Sequence, residues 1–382
     1  MDSPSLQHVF FSCFLLFLSL HTFTYAQEDC NKTSKILRSF NLNQKCNRTV
    51  LDEKQKHHVQ AQTTVLLIPS LYLVAFIIGL PANATALWVL IARTKKMPST
   101  ALLINLTSTD LLLMVVLPFR IAYHFQGNNW IFGEVTCRFV SALFYGNMYG
   151  SILCLMLISI DRYIALVHPF SAKAFRSRKN SICMSLAVWV VVIGAMLPLL
   201  LTRQAYTEDD LNITLCHDAL PQVVQEKMFF PYFTSLFAIG FVIPLCVILF
   251  CYGSILWTLV SSDKRYIHAV KVTALVLVVF IFCFLPSNIM LLLHYSSLLE
   301  NSEELYFPYM ISLALSTFNS SLDPFIYYYV SDDFRAKLRK LFVCHRTKYE
   351  FTSGSSANTD SSSKCKSNGT GMTALNRSTD PS

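Results

Sequence analysis

Seven apolar stretches dominate this 382-residue chain, at 65–92, 99–124, 134–163, 179–201, 229–260, 266–295 and 305–330. Each is long enough to cross ~30 Å of hydrocarbon as a helix, which takes about 20 residues. Lipid offers no hydrogen-bond partner to a bare amide, so a spanning segment must satisfy its own backbone, and a helix does so within one run. The expected fold is an all-α membrane protein, a bundle of seven transmembrane helices. Only 14% of the residues are charged and mean hydropathy is +0.44. Soluble domains carry roughly 25% charged residues, so little is left for a separate soluble domain.

The basic residues fall just outside alternate spans. Arg93, Lys95 and Lys96 follow the first; Lys173, Arg176, Arg178 and Lys179 the third; Lys264 and Arg265 the fifth; Arg335, Lys337, Arg339 and Lys340 the seventh. Acidic residues (Glu208, Asp209, Asp210, Asp218, Glu300, Glu303, Glu304) lie on the other side. By the positive-inside rule the amino terminus is outside and the carboxyl terminus in the cytoplasm. The net charge of +8 is thus accounted for by topology, not by nucleic-acid binding. Residues 1–26 read as a signal peptide, with an apolar core from Val9 to Leu20 and a small-residue cleavage site at Thr24-Tyr25-Ala26. Residues 27–64 are polar, carry sequons at Asn31 and Asn47, and show no hydrophobic periodicity, so a flexible extracellular tail is expected. A third sequon starts at Asn212. Past the last span, residues 331–344 alternate basic and apolar positions at helical spacing (Phe334, Leu338, Leu341, Phe342), the pattern of a helix lying on an anionic leaflet. Cys344 beside it is a candidate lipidation site. The Ser/Thr-rich residues 345–382 are expected to be disordered.

One bond in the tail stands out. Arg38 is a natural P1 residue for a trypsin-like protease, and a cut there would expose Ser39, Phe40, Asn41, Leu42, Asn43 and Gln44 as a new amino terminus tied to the bundle. Leu37 occupies P2, and only Asp52 and Glu53 supply acid beyond the cut, so thrombin, trypsin-like enzymes and cathepsin G all stay open as the protease. Cys30 and Cys46 flank the bond and could pair.

Inside the spans lies an ordered set of polar and proline-bearing motifs. Asn83 falls in the first, Asp110 in the second, Asp161-Arg162-Tyr163 at the end of the third and Trp189 in the fourth. Pro244 and Pro286 interrupt the fifth and sixth, and Asp323-Pro324 with Tyr327 ends the seventh. Together these resemble the rhodopsin-like G-protein-coupled receptors over all seven spans. The resemblance implies that Arg162 is held by Asp161 at rest and released towards a G protein, with Tyr252 and Tyr327 swinging in to meet it. Pro286, in a run containing Phe284, would be the hinge of the sixth helix, because proline deletes one backbone bond. Phe284 and Asp323 depart from the commonest pattern of Trp and Asn, as they do in the nucleotide- and protease-responsive branch. If the bundle packs as in the family, Asp110 and Asp323 meet mid-membrane, where two bare carboxylates repel strongly. Either one holds a proton or a cation neutralises the pair; Ser151 and Asn319 could add oxygens to a Na⁺ site. No other cofactor is expected.

Cys137 heads the third span and Cys216 lies in the second outer loop, on the oxidising side, and they are expected to bond. In the chain-entropy picture that closure is worth roughly 4 kcal/mol. Cys216-His217-Asp218-Ala219-Leu220-Pro221, with the runs from Tyr145 to Tyr149 and from Pro286 to Tyr295, is similar to the protease-activated receptors. That likeness implies a ligand site lined by Tyr145, His217, Asp218, His294, Tyr295 and Tyr309. Cleavage would turn the Ser39 amide into an α-ammonium of pKa about 7.7–8.0, received by Asp218 and an acidic mouth of Glu208, Asp209 and Asp210. Thrombin or a trypsin-like protease, G proteins of the Gq/11 and G12/13 classes, and arrestin are the implied partners, with membrane lipid around the spans and the plasma membrane as location. Two other readings stay open: a nucleotide or small-ligand receptor, and a protease cofactor that does not signal. An enzyme is not expected: the chain has no His-Glu-x-x-His and no Walker loop. No Lys lies in 305–330, so a retinal Schiff base in the last span is excluded.

Overall fold

A computed structural model describes residues 41–45, 48–51, 53–94, 98–168, 177–260, 267–295, 305–330 and 334–339. The proposed leader, Arg38, Ser39, Phe40, the sequons at Asn31 and Asn47, Cys30, Cys46, Cys344 and the carboxyl-terminal tail lie outside these residues. The first four spans are α2 (Ile68–Ala92), α3 (Pro98–Phe125), α4 (Gly133–Val167) and α5 (Arg178–Leu201), preceded by a short tail helix, α1 (Glu53–Gln60). The fifth is a helical run of α6 (Gln222–Val224), α7 (Phe230–Ser235) and α8 (Ile243–Val260), joined by π-helical turns at Gln225–Phe229 and Leu236–Val242. The sixth and seventh are α9 (Ile267–Tyr295) and α10 (Tyr306–Val330). α10 packs on both α9 and α2, closing the ring, and α4 runs through the middle against α3, α5 and α8.

Among the described residues six helices are apolar enough to cross a membrane on composition alone, and α10 is not one of them. Its buried residues explain why: Ser312, Ser316, Thr317, Asn319, Ser320, Ser321 and Asp323 all face the interior. The outward residues of the other helices, such as Ile77, Val115, Leu186 and Phe282, are apolar and exposed, as lipid-facing positions must be. The arrangement is a multi-pass membrane bundle.

Prolines are accommodated by local devices. Pro324 has no N–H for the carbonyl of Ser320, one turn earlier. Asn83 reaches across from α2 and donates from Nδ2 to that carbonyl at 2.7 Å. Gly79, one turn from Asn83, permits the approach: a Cβ there would lie 2.9 Å from Ser321 Oγ and 2.6 Å from Met114 Cε. Pro244 falls in the first turn of α8, just after the π turn, where the Ile243 amide bonds back to Ala238. The extra residue in that turn re-spaces the ladder ahead of the missing donor.

The polar tail differs from the flexible segment expected over 27–64. Strands β1 (Asn41–Lys45) and β2 (Arg48–Val50) form an antiparallel pair, and α1 follows. Leu51 and Val59 join the main apolar cluster. Contacts to the loop between α5 and α6, remote in sequence, help to order these elements. That loop carries a hairpin, β3 (Ala205–Glu208) and β4 (Ile213–Cys216), then β5 (Leu220–Pro221), which pairs in parallel with β1, Asn41 opposite Leu220. Asn212 sits exposed in the hairpin turn at φ 52°. Of the amphipathic segment 331–344, residues 334–339 are described and helical. Phe334 is buried against Tyr327, with ring centroids 6.3 Å apart.

Asn83→Ala should strand the Ser320 carbonyl and lower stability by about 1–3 kcal/mol, the usual cost of a buried unmet polar group. The measurement is the thermal midpoint of the purified chain in detergent. Adding Pro324→Ala restores a backbone donor, so the double variant should lose less than the sum of the singles; strict additivity would refute the link.

Candidate ligand-binding site

The hairpin loop is pinned over the mouth of the bundle. A disulfide joins Cys216 to Cys137 at the head of α4, with Cα atoms 5.7 Å apart. Glu134 accepts from the backbone amides of Gln204 (2.8 Å) and Ala205 (2.6 Å), tying the start of the hairpin to the same helix. Just past the disulfide the chain turns sharply. His217 has φ 63°, a left-handed conformation costly for a residue with a side chain. Its amide donates to the Gln204 carbonyl at 2.9 Å, and its Nδ1 lies 2.5 Å from Gln204 Oε1. The strained turn is thereby held, and it drives the His217 ring inward.

Five of the six residues predicted to contact ligand form one connected cluster around that ring. Tyr295 Oη lies 3.1 Å from His217 Nε2. Tyr145 meets the His217 ring edge-on at 5.3 Å and shares a 2.7 Å hydrogen bond with Tyr309. Tyr309 stacks on His294 at 4.2 Å. Phe233, from α7, fills the space between Tyr145 (5.3 Å) and Tyr295 (4.4 Å). Burial, reinforced by Arg120 and His294, pushes the His217 pKa down to about 3, so the ring is neutral at physiological pH.

Asp218, the sixth, points to a neighbouring group. Its Oδ2 accepts from Tyr123 Oη at 2.6 Å and from Tyr306 Oη at 3.4 Å. Burial raises its pKa above the ordinary carboxylate value, while Arg120, Tyr123 and Tyr306 pull it back. Arg120 is itself buried, its guanidinium 4.1 Å from the Phe144 ring centre and 5.8 Å from that of Tyr72. Tyr123, Tyr306, Phe233, Gln204 and Arg120 were missed in the sequence. Arg120 had a visible signal, being a charge within an apolar span.

The acidic mouth expected from Glu208, Asp209 and Asp210 is corrected. Glu208 is fully buried and accepts from the amides of Leu51 (3.1 Å) and Leu211 (2.6 Å). Asp210 holds Lys56 of the tail at 2.6 Å. Tail residues have taken up two of the three carboxylates; Asp209 is exposed at the hairpin turn.

Deeper in the bundle, Asn147 Nδ2 donates to Asp110 Oδ1 at 3.2 Å, and Ser151 Oγ lies 3.5 Å from the same oxygen. Asp110 Oδ2 is buried with no hydrogen-bond partner. Asn319 donates to Asp323 at 3.1 Å, and Ser320 Oγ to Asn147 Oδ1 at 3.3 Å. Asn147, one turn before Ser151, and Ser320 are the members of this network that sequence reasoning missed. At the far end Asp161 and Tyr252 are buried, and Arg162 Nε has no hydrogen-bond partner. Tyr163 packs on Phe250 at 5.6 Å and shares a 3.0 Å hydrogen bond with His168. Pro286 lies within α9, where Ser287 Oγ donates to the Phe284 carbonyl at 3.0 Å. Phe284 packs on Phe280 at 5.4 Å.

Comparison with known proteins agrees with this architecture. The seven-transmembrane receptor (rhodopsin family) profile matches residues 82–327. The chain is 49% identical over 274 residues to human proteinase-activated receptor 4, covering 72% of this chain and 71% of that protein. It is 44% identical over 276 residues to bovine proteinase-activated receptor 3, covering 72% and 73%. To mouse proteinase-activated receptor 2 it is 37% identical over 308 residues, covering 78% and 76%. With seven helices, a disulfide-pinned loop and relatives matched over most of their length, the chain belongs to the proteinase-activated receptors, within the rhodopsin family of seven-transmembrane receptors.

Proposed function

We propose that this protein is a plasma-membrane receptor, tail outside and carboxyl end in the cytoplasm, switched on by a protease that cuts after Arg38. The new terminus, Ser39-Phe40-Asn41-Leu42-Asn43-Gln44, is its agonist. The observation that carries this reading is the parallel pairing of β1 with β5. β1 holds the last four of those six residues, and β5 begins two residues after Asp218. The ligand segment therefore already runs beside the loop that caps the aromatic cluster, and the intact chain lacks only the charge. Cutting supplies it as an α-ammonium. A carboxylate has about four acceptor sites, so Asp218 can take an ammonium beside its two tyrosine bonds. The neutral, buried His217 ring and Tyr145, Tyr295 and Tyr309 give Phe40 an apolar, π-rich bed.

Engagement of that cluster would bias the helices beneath it. Tyr309 sits on α10, ten residues before Asn319, and His294 and Tyr295 end the helix that contains Pro286. A shift of these two helices would free Arg162 for a G protein of the Gq/11 or G12/13 class, with Tyr252 and Tyr327 as new neighbours. Arrestin would follow on the Ser/Thr-rich tail. The unpartnered Oδ2 of Asp110 fits a cation; Na⁺ held by Asp110, Asp323 and Ser151 would supply positive charge that favours the resting packing. Thrombin or a trypsin-like enzyme is the proposed protease.

Arg38→Gln should abolish the calcium response to protease in transfected cells while leaving the response to free Ser-Phe-Asn-Leu-Asn-Gln intact. Retention of both responses would refute the site. Potency of that free peptide should be steady near pH 7 and fall about tenfold per unit above pH ~8, as its ammonium deprotonates. The sign follows from pairing: Asp218 raises the bound ammonium's pKa, so the gain is complete below the free pKa and is lost as pH rises. On the acid side potency should fall earlier than an exposed carboxylate would dictate, because the Asp218 pKa is raised. Replacing external Na⁺ by a bulky organic cation should increase agonist potency in the wild type and leave Asp110→Asn unchanged; equal insensitivity of both would exclude the ion.

A further inference from the structure

The tail joins the bundle covalently where it enters α2, and β1 pairs with β5. A further attachment is built from the segment 51–60. Its leading end is gripped by Glu208, a buried carboxylate whose two oxygens take the Leu51 and Leu211 amides at 3.1 and 2.6 Å. Lys56 Nζ stands 3.9 Å from Glu208, 2.6 Å from Asp210 and 3.0 Å from Glu53, with its side chain 13% exposed. The trailing end is gripped by Asn128, buried at φ 61°, whose Nδ2 donates to the Val59 carbonyl at 2.5 Å. Thr64 Oγ1 adds a 3.1 Å bond to the His58 carbonyl.

Only Ala61 interrupts the helical run between α1 and the turns leading into α2; an eight-residue helix is marginal in water by itself, so α1 is held by that continuity together with these grips. A buried carboxylate left without partners is costly. The Leu51 amide and Lys56 satisfy Glu208 only when the tail is docked. The same contacts leave Glu208 and Asp210 committed to the tail rather than open to an incoming ammonium.

We infer that Lys56, Glu208 and Asp210 form a clamp that makes Leu51, not the start of the first span, the root of the tether. The clamp residues are positioning residues for the agonist segment, and the inference rests on the tethered-ligand reading above. About 26 residues separate Ser39 from Val65, but only 12 separate it from Leu51. Once β1 has left β5 and β2 to carry the agonist to its site, a flexible chain of those lengths spans roughly 28 Å and 19 Å root-mean-square. Effective concentration falls as about the −3/2 power of tether length, so the clamp raises it about threefold.

The test uses full-length receptor with the agonist weakened by Leu42→Ala, so that the response stays below saturation. After complete cleavage, verified by loss of an amino-terminal epitope, the G-protein response is converted to an equivalent concentration of free Ser-Phe-Asn-Ala-Asn-Gln. The calibration comes from the same receptor carrying Arg38→Gln. Lys56→Glu, which sets a like charge against Glu208 and Asp210, should lower that equivalent concentration about threefold with free-peptide potency unchanged. Asp210→Lys added to Lys56→Glu should restore it. An unchanged equivalent concentration would overturn the clamp. So would a parallel loss of free-peptide potency, which would put these residues in the ligand site itself. Hydrogen exchange on the uncleaved receptor decides independently of any ligand: amides of 53–60 should be protected in the wild type and lose protection in Lys56→Glu, and exchange at free-peptide rates in both would also overturn it. Failure of the tethered-ligand reading shows elsewhere, in an Arg38→Gln receptor that still answers protease.

Discussion

Hydrocarbon accepts no hydrogen bonds, and almost every feature of this bundle answers that constraint. Six helices meet it by being apolar outside and self-satisfied along the backbone. The seventh meets it by turning its polar side inward, where Asn83, Asn147 and Asn319 exchange bonds with Ser320 and Asp323. The proline in that helix opens one gap in the ladder, and a side chain from a different helix fills it. Asn83 therefore does more than decorate the first span: it couples the first span to the part of the seventh most altered by proline. A network assembled this way has few alternative arrangements, because each polar atom that moves must find another partner inside the protein.

The loop between the fourth and fifth spans is the second organising element. Several attachments hold it, among them the disulfide to α4, the Glu134 carboxylate, and the backbone pairing with the tail. Cys216, His217 and Asp218 are consecutive, yet they serve different purposes. The first is a fixed point. The second is strained into a left-handed turn and reaches the aromatic cluster. The third drops into a tyrosine-lined socket beside a buried guanidinium. The short spacing means that the anchor sets the position of both side chains with little slack.

What was legible in the sequence follows from where each signal resides. The spans are set by local hydrophobicity and helical length, so they could be read from composition; the third runs four residues beyond its expected end at 163, to Val167. The six predicted contact residues came from resemblance alone, and five of them cluster. Tyr123, Tyr306 and Phe233 were not legible, because one aromatic residue in a membrane span looks like any other until the packing is known. The tail was misjudged for a related reason. Residues 51–60 hold too little apolar surface to order themselves, and what orders them sits about 70 and 150 residues away, at Asn128 and Glu208. Local periodicity carries no trace of a partner that remote. The acidic residues of the hairpin were misassigned likewise: their charge was visible, but not that Lys56 and a backbone amide had claimed it.

The composition of the last helix bears on how the molecule is made. A segment with an inward face of serines, asparagines and an aspartate partitions poorly into lipid by itself. During synthesis it would have to enter the bilayer alongside helices already there, trading water for their amides and hydroxyls in one step. A nascent chain halted before residue 306 would leave Asn83 and Asn147 without the Ser320 groups they bond. The final helix thus completes the polar interior of the six that precede it, and biogenesis of the bundle is cooperative at its very last span.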